Sequence, residues 1–154
     1  MSLCIEHKHL LDGQVKTYAC DLVHFEPGFG ILKYVIDREY DIHGHRLTPG
    51  DVTRALYWED RPYTLYIWSL GSGTVLHYFN IADRISLSPT DFRWRDLVID
   101  ILIDNEGPHV LDAHELLQGL PPDLNAFIHR AQEQVLSNYR ATIDESSRLL
   151  QRYL

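Results

Sequence analysis

Cysteine is scarce in this chain, with Cys4 and Cys20 the only two among 154 residues. Two such residues without a Cys-x-x-Cys spacing exclude a disulfide framework and a thiolate-rich zinc site, and they read as free thiols in a reducing compartment. No apolar run approaches the length of a membrane span, and the first residues lack the apolar core of a secretion signal. The chain therefore reads as cytoplasmic, with no membrane partner. Basic residues are also few: 14 Lys and Arg stand against 22 Asp and Glu, for a net charge of −8. That balance argues against nucleic acid and anionic membrane surfaces, which need positive charge, although a local basic pocket stays open.

Several catalytic signatures are missing as well. There is no Gly-x-x-x-x-Gly-Lys-Ser/Thr loop to cradle phosphates and no Gly-x-Ser-x-Gly elbow, so P-loop and serine-hydrolase readings have no support. The nine histidines include the close pairs His7/His9 and His43/His45 but no His-Glu-x-x-His, and these spacings do not support a zinc enzyme.

What is present is an ordinary globular composition, 45% hydrophobic and 23% charged. At this length one domain over residues 1–154 can bury a real core. From Val15 to about Leu111 the pattern is strand, turn, strand. Strand signals cover Val15–Phe25, Ile31–Ile36, Leu56–Trp58, Tyr63–Leu70 and Thr74–Ile81, with a tight hairpin at Gly71-Ser72-Gly73. Pro27-Gly28-Phe29-Gly30 reads as a break, and Asp37–Asp51 as a polar loop region. Many short strands joined by glycine turns favour a barrel. After it, Pro121-Pro122-Asp123 starts a helix, and Leu124, Phe127, Ile128, Ala131, Val135, Tyr139 and Ile143 keep helical spacing, extended by Leu149, Leu150 and Tyr153. A break near Ala141–Asp144 stays open. The expectation is a mainly β, α+β chain: an antiparallel β-barrel over 1–112 and a C-terminal helical segment over 113–154. The apolar stripe packs on the barrel or on a partner subunit, which leaves a homodimer open.

The richest stretch runs from Trp94 to Glu115. Leu97–Ile103 is a strong strand signal, yet Asp100 lies inside it and Asp96 just before. Asp is depleted in strands and costly to bury unless paired or metal-bound. A hairpin-like turn, Asp104-Asn105-Glu106-Gly107, then leads back toward Asp112 and Glu115. Such carboxylates suit a hard cation, Mg²⁺ or Mn²⁺, which prefers oxygen ligands. Strand alternation puts Asp96, Val98 and Asp100 on one face, and Leu97, Ile99, Ile101 and Ile103 on the core face. Residues four apart in a strand are about 13 Å apart, so one shared ion would require a bulge or a long bridging geometry; otherwise the two carboxylates serve two metals, or one metal and an activated water. The alternative is that Asp96 pairs with Arg93 or Arg95 while Asp100 faces solvent.

Taken together, Tyr78-Phe79-Asn80-Ile81, Arg95-Asp96-Leu97-Val98-Ile99-Asp100 and Leu111-Asp112-Ala113-His114-Glu115-Leu116 resemble a known family. It is the barrel-domain family of metal-dependent nucleoside di- and triphosphate phosphatases, which also includes FomD-type cytidylyl hydrolases. The resemblance runs from about Lys8 to Leu116 and implies an antiparallel barrel flanked by C-terminal helices. It further implies divalent metal, Mg²⁺ or Mn²⁺, held at Asn80, Asp96, Asp100, Asp112 and Glu115. Asp112 or Glu115 would orient or deprotonate the attacking water. Lys8, Arg61, Tyr78 and Arg95 are the substrate-binding candidates; for Arg61 the alternative is a loop ion pair with Glu59 or Asp60. Tyr57, Trp58, Tyr63, Tyr66 and Trp68 could stack a base or serve as barrel core.

Two departures from the family pattern stand out. Some members carry a further acid where this chain has Val98, and a lysine where it has Leu111. The implied function is metal-dependent hydrolysis of phosphoanhydride bonds in nucleoside di- or triphosphates or nucleotide-linked small molecules. The alternative is a non-catalytic nucleotide- or RNA-binding barrel module.

Overall fold

The computed structural model describes residues 2–113 and 119–154. Its strands are β1 (Ser2–His9), β2 (Val15–Glu26), β3 (Phe29–Val35), β4 (Tyr40–Ile42), β5 (His45–Leu47), β6 (Val52–Trp58), β7 (Tyr63–Ser69), β8 (Val75–Leu87), β9 (Asp91–Asp104) and β10 (Gly107–Leu111). One helix, α1 (Pro122–Tyr153), follows. Neighbours in the order β1-β2-β3-β6-β7-β8-β9 pair antiparallel, and β1 then pairs with β9 to close a seven-stranded barrel. β10 continues the sheet along the distal half of β9.

The closing seam is parallel, with Ile5 opposite Asp91 and His9 opposite Arg95. The barrel is therefore mixed rather than purely antiparallel. Hairpin turns announce antiparallel neighbours locally, whereas a parallel seam joins distant segments and leaves no turn signal.

Side-chain alternation divides the sheet into two faces. Phe29, Ile31, Leu65, Phe79, Leu97 and Ile101 lie in an outer cluster with Ile128, Ala131 and Val135 of α1. The helix stripe thus packs on the barrel wall. Where the family resemblance implies several helices, the described residues contain one continuous helix, α1. Its buried polar positions are satisfied internally, since the Thr142 hydroxyl donates to the Asn138 carbonyl at 3.2 Å and Ser146 to the Thr142 carbonyl at 2.7 Å. Such bonds to the preceding turn leave neither hydroxyl an unpaired donor on the buried side of the helix. It is not apolar enough to cross a membrane.

The other face fills the barrel. One interior cluster gathers Cys4, Cys20, Tyr57, Phe92 and Trp94, and a second holds Leu47, Trp68, Leu76 and Leu102. Cys4 and Cys20 face each other across β1 and β2 as free thiols. Burial pushes them up to about 11 and about 12, which keeps them protonated and inert. The expected break at Phe29-Gly30 is strand. Glycine is required at position 30 because a Cβ there would lie 2.3 Å from the Phe92 ring. The polar stretch 37–51 also contains structure, the β4–β5 hairpin, whose Ile42 and Leu47 join the second interior cluster.

Candidate active site inside the barrel

The two strand aspartates meet through a backbone irregularity. Asp100 lies opposite Asn80 and Asp96 opposite Ala82, so four steps along β9 are matched by only two along β8. Two strand steps span about 7 Å, roughly half the distance that a regular strand would impose between the carboxylates. The bulge is centred on Val98, whose φ is +77°, a conformation strained for a β-branched residue. The Val98 N–H donates to Asp96 Oδ1 at 2.8 Å, which holds the turn in place. Leu97 and Ile99 stay in the outer core on either side.

Asp100 is buried, contrary to the solvent-facing alternative. Its Oδ2 accepts the Tyr78 hydroxyl at 2.5 Å, while its Oδ1 is buried with no partner. Burial raises this carboxyl from 3.8 to about 8, against the Tyr78 bond that lowers it; Asp96 and Asp112 add to the rise and Lys8 opposes it. Burial, reinforced by Asp100, likewise pushes the Tyr78 hydroxyl up and keeps it a donor. The Lys8 ammonium lies 3.3 Å from Asp96 Oδ2 and 5.6 Å from the centre of the Trp94 ring. Burial works against its charge, but Asp96 and Asp100 outweigh that and raise it above the ordinary lysine value. Asp96 thus pairs with Lys8, not with Arg93 or Arg95.

Asn80 is not at a strand end but inside β8, fully buried, donating to Thr64 Oγ1 at 3.1 Å. Asp112 follows β10 with φ +64° and is close enough for its charge to act on both Asp100 and Tyr78. Glu115 lies outside the described residues. Asn80, Asp96 and Asp100 therefore share the interior with Lys8 and Tyr78, and Asp112 borders them.

The arginine candidates sit elsewhere. Arg61 grips Glu145 of α1 with two bonds, 2.8 and 2.9 Å, and stacks 4.1 Å over Trp58 of the outer cluster. Neither Glu59 nor Asp60 is its partner. Arg95 grips Asp83 on the neighbouring strand at 2.8 and 2.6 Å. Both guanidinium groups are engaged by carboxylates away from the interior acids: Arg95 because alternation along β9 turns it to the face opposite Asp96, and Arg61 because it lies in the turn between β6 and β7 beside α1.

One interior acid went unrecognised in the sequence. Glu6 Oε2 accepts bonds from the Tyr57 hydroxyl, the Tyr66 hydroxyl at 2.7 Å and Trp94 Nε1 at 3.1 Å. The signal was the alternation Cys4-x-Glu6-x-Lys8, which puts all three on one strand face. Glu6 and Lys8 also line a cavity of about 160 Å³ whose walls include Tyr18, Tyr34, Tyr40 and Trp68. A water needs roughly 10–15 Å³ by this measure, so a planar ring has room. Of the aromatic stacking candidates, Tyr57, Tyr66 and Trp68 line this cavity, whereas Trp58 and Tyr63 belong to the outer core.

The geometry invites comparison with known proteins. No protein-family model and no curated protein matches the sequence. Solved structures do match. FomD in complex with CDP aligns with a TM-score of 0.71 at 15% identity, over 92% of this chain and 85% of that one. The phosphatase SC4828, bound to the non-hydrolysable nucleotide GPCP, aligns with a TM-score of 0.74 at 12% identity, over 91% and 82%. The fold is the one they share. At 15% and 12% identity the likeness is one of fold.

A divalent cation suits the interior donor set. The orphaned Oδ1 of Asp100 is an oxygen ligand that burial leaves without a hydrogen-bond partner, and Asp96 and Asn80 supply further oxygens beside it. Among the described residues, however, the set of three His, Asp or Glu groups with ligand atoms within 4.8 Å of one another is Asp104, Glu106 and His109, outside this cluster.

Proposed function

We propose that this protein is a metal-dependent hydrolase of phosphoanhydride bonds in nucleoside di- or triphosphates or nucleotide-linked small molecules. The observation that carries the reading is the unpartnered carboxylate oxygen of Asp100, buried in a barrel beside Asp96, Lys8 and an aromatic cavity. Support comes from the two proteins that share the fold, one described with CDP and the other as a phosphatase with a nucleotide analogue. Asn80, Asp96 and Asp100 would hold Mg²⁺ or Mn²⁺, with Asp112 and Glu115 completing the set. When bound, the ion supplies neutralisation of the charge that builds on phosphate oxygens during displacement.

The chain's own groups have separate roles in this reading. Lys8 would turn from Asp96 to a phosphate oxygen, bringing the positive charge that the barrel interior otherwise lacks. Tyr78 fixes the Asp100 carboxylate by its hydroxyl. Asp112 or Glu115 would orient the attacking water and accept its proton. Tyr66 and Trp68 would border the base, and burial in the cavity would keep bulk water from the phosphates. Arg61 and Arg95 drop out of the phosphate-holding set, because Glu145 and Asp83 already occupy them. No membrane partner is invoked, and the cytoplasm is the compartment in which this chemistry would run.

A second reading, a non-catalytic nucleotide-binding barrel, is favoured by one observation: the Lys8 ammonium already neutralises Asp96. The test is a screen of nucleoside di- and triphosphates and a CDP-linked alcohol with Mg²⁺, Mn²⁺ or EDTA, read by phosphate release and by chromatography of the nucleotide. Turnover that EDTA abolishes and Asp100→Asn removes supports the hydrolase. Nucleotide binding without turnover overturns it in favour of the binding module, and neither binding nor turnover overturns both.

A further inference from the structure

A second group of ligating side chains lies away from the interior acids, where the β9–β10 turn meets the β4–β5 hairpin. Asp104 ends β9, Glu106 sits in the turn and His109 lies in β10, with their ligand atoms within 4.8 Å of one another. His109 Nε2 is 2.9 Å from Asp104 Oδ1. From the hairpin, His45 Nε2 reaches Asp104 Oδ2 at the same distance of 2.9 Å. The His43 ring lies against His109 with centroids 4.4 Å apart. The Asp104 side chain is only 7% exposed, whereas His45 and His109 are 28% and 20% exposed and leave a path from solvent.

We propose that Asp104, Glu106 and His109 bind a zinc ion. The donor set of one imidazole and two carboxylates is a set zinc accepts, with a fourth position left to water, and imidazole disfavours Mg²⁺. Zinc bonds of about 2.0–2.2 Å in a tetrahedron separate ligand atoms by roughly 3.3–3.6 Å. Atoms already within 4.8 Å of one another need shifts of about 1.5 Å or less to reach that arrangement, and exposed Glu106 is free to make the largest. His45 is a positioning residue. It donates to the far oxygen of Asp104, the kind of outer hydrogen bond that orients a ligating carboxylate.

The location gives the ion a consequence. β4 and β5 form their own two-stranded sheet and make no ladder with the barrel. Tyr40, Ile42 and Leu47 of that hairpin nevertheless line the interior cavity. Fixing Asp104 against His109 also fixes the carboxylate that His45 grips, so zinc would pin the hairpin over the cavity. This inference stands independently of the proposed hydrolase.

The experiment is titration of the metal-free full chain with ZnCl₂ against a chromophoric chelator, with hydrogen exchange over residues 40–47 read in parallel. One equivalent should bind the wild type in millimolar Mg²⁺, which fills the all-oxygen interior set and competes poorly for an imidazole. Asp100→Asn should bind it unchanged, while His109→Gln and the exposed, fold-neutral Glu106→Gln should weaken it tenfold or more. Zinc should slow exchange in the hairpin, and His45→Gln should lose that protection while keeping most of the affinity. No zinc binding by the wild type overturns the proposal. So does full affinity in folded Glu106→Gln and His109→Gln, or loss of the site in Asp100→Asn alone, which would put the ion among the interior acids.

Discussion

Replacing Asp100 by Asn should make the metal-free protein more stable while removing its response to metal. The Asp100 carboxyl is raised from 3.8 to about 8, first by burial. A folded carboxyl titrating above its unfolded value binds more protons than the unfolded chain between about pH 4 and pH 8. Its stabilising effect is thus complete below pH 4 and is lost as pH rises through about 8. At pH 7 about three of the four units are realised, a loss of about 4 kcal/mol at 1.4 kcal/mol per unit. Asn escapes this loss and can still accept the Tyr78 hydroxyl, but its amide N–H groups bring an unpaired-donor cost of about 2 kcal/mol. The net gain at pH 7 in EDTA is about 2 kcal/mol, or roughly 4–8 °C in Tm for a chain of this size. Thermal unfolding in EDTA and with saturating Mn²⁺ measures both halves. The wild type should gain stability with Mn²⁺ by binding in the native state only, and the Asn protein should not. An Asn protein less stable than wild type in EDTA, or one with the full Mn²⁺ shift, would refute the reasoning.

Two further expectations concern single positions. Val98 is held at φ +77°, which Asp tolerates better than Val, so Val98→Asp should fold and should bind Mn²⁺ more tightly; unchanged Mn²⁺ affinity in the folded variant would place residue 98 away from the ion. Burial lowers His77 from 6.5 to about 4, so its contribution is present above pH 6.5 and lost as pH falls toward 4, by up to about 3 kcal/mol. His77→Gln should flatten the urea-unfolding stability between pH 4 and 6.5, and an unaltered slope would show that His77 does not carry it.

Local signals in the sequence translated well. The Gly71-Ser72-Gly73 turn joins β7 to β8, the Asp104–Gly107 turn joins β9 to β10, and the helix starts at Pro122 as its prolines indicate. Leu97, Ile99, Ile101 and Ile103 share the outer core as alternation requires. What escaped were contacts set by distant partners. β1 is a strand because β2 and β9 flank it, and its own residues carry little apolar periodicity. Arg61 and Arg95 looked like phosphate ligands only while Glu145 and Asp83 were unplaced. A bulge between Asp96 and Asp100 was one of the arrangements that distance alone left open, and its position at Val98 was not legible, since a β-branched residue is a poor indicator of positive φ.

The parallel seam between β1 and β9 has a kinetic consequence. At roughly 5–20 residues per second, synthesis of β9 finishes about 5–20 s after that of β1. During that interval the first strand has only its hairpin partner, and Cys4, Glu6 and Lys8 have no Trp94 or Asp96 to cover them. Long-range seams of this kind slow folding, since loop closure must precede the contacts that reward it. Glu6 and Lys8 put two charged side chains on that strand, the kind of residue that disfavours pairing of an open edge with other chains.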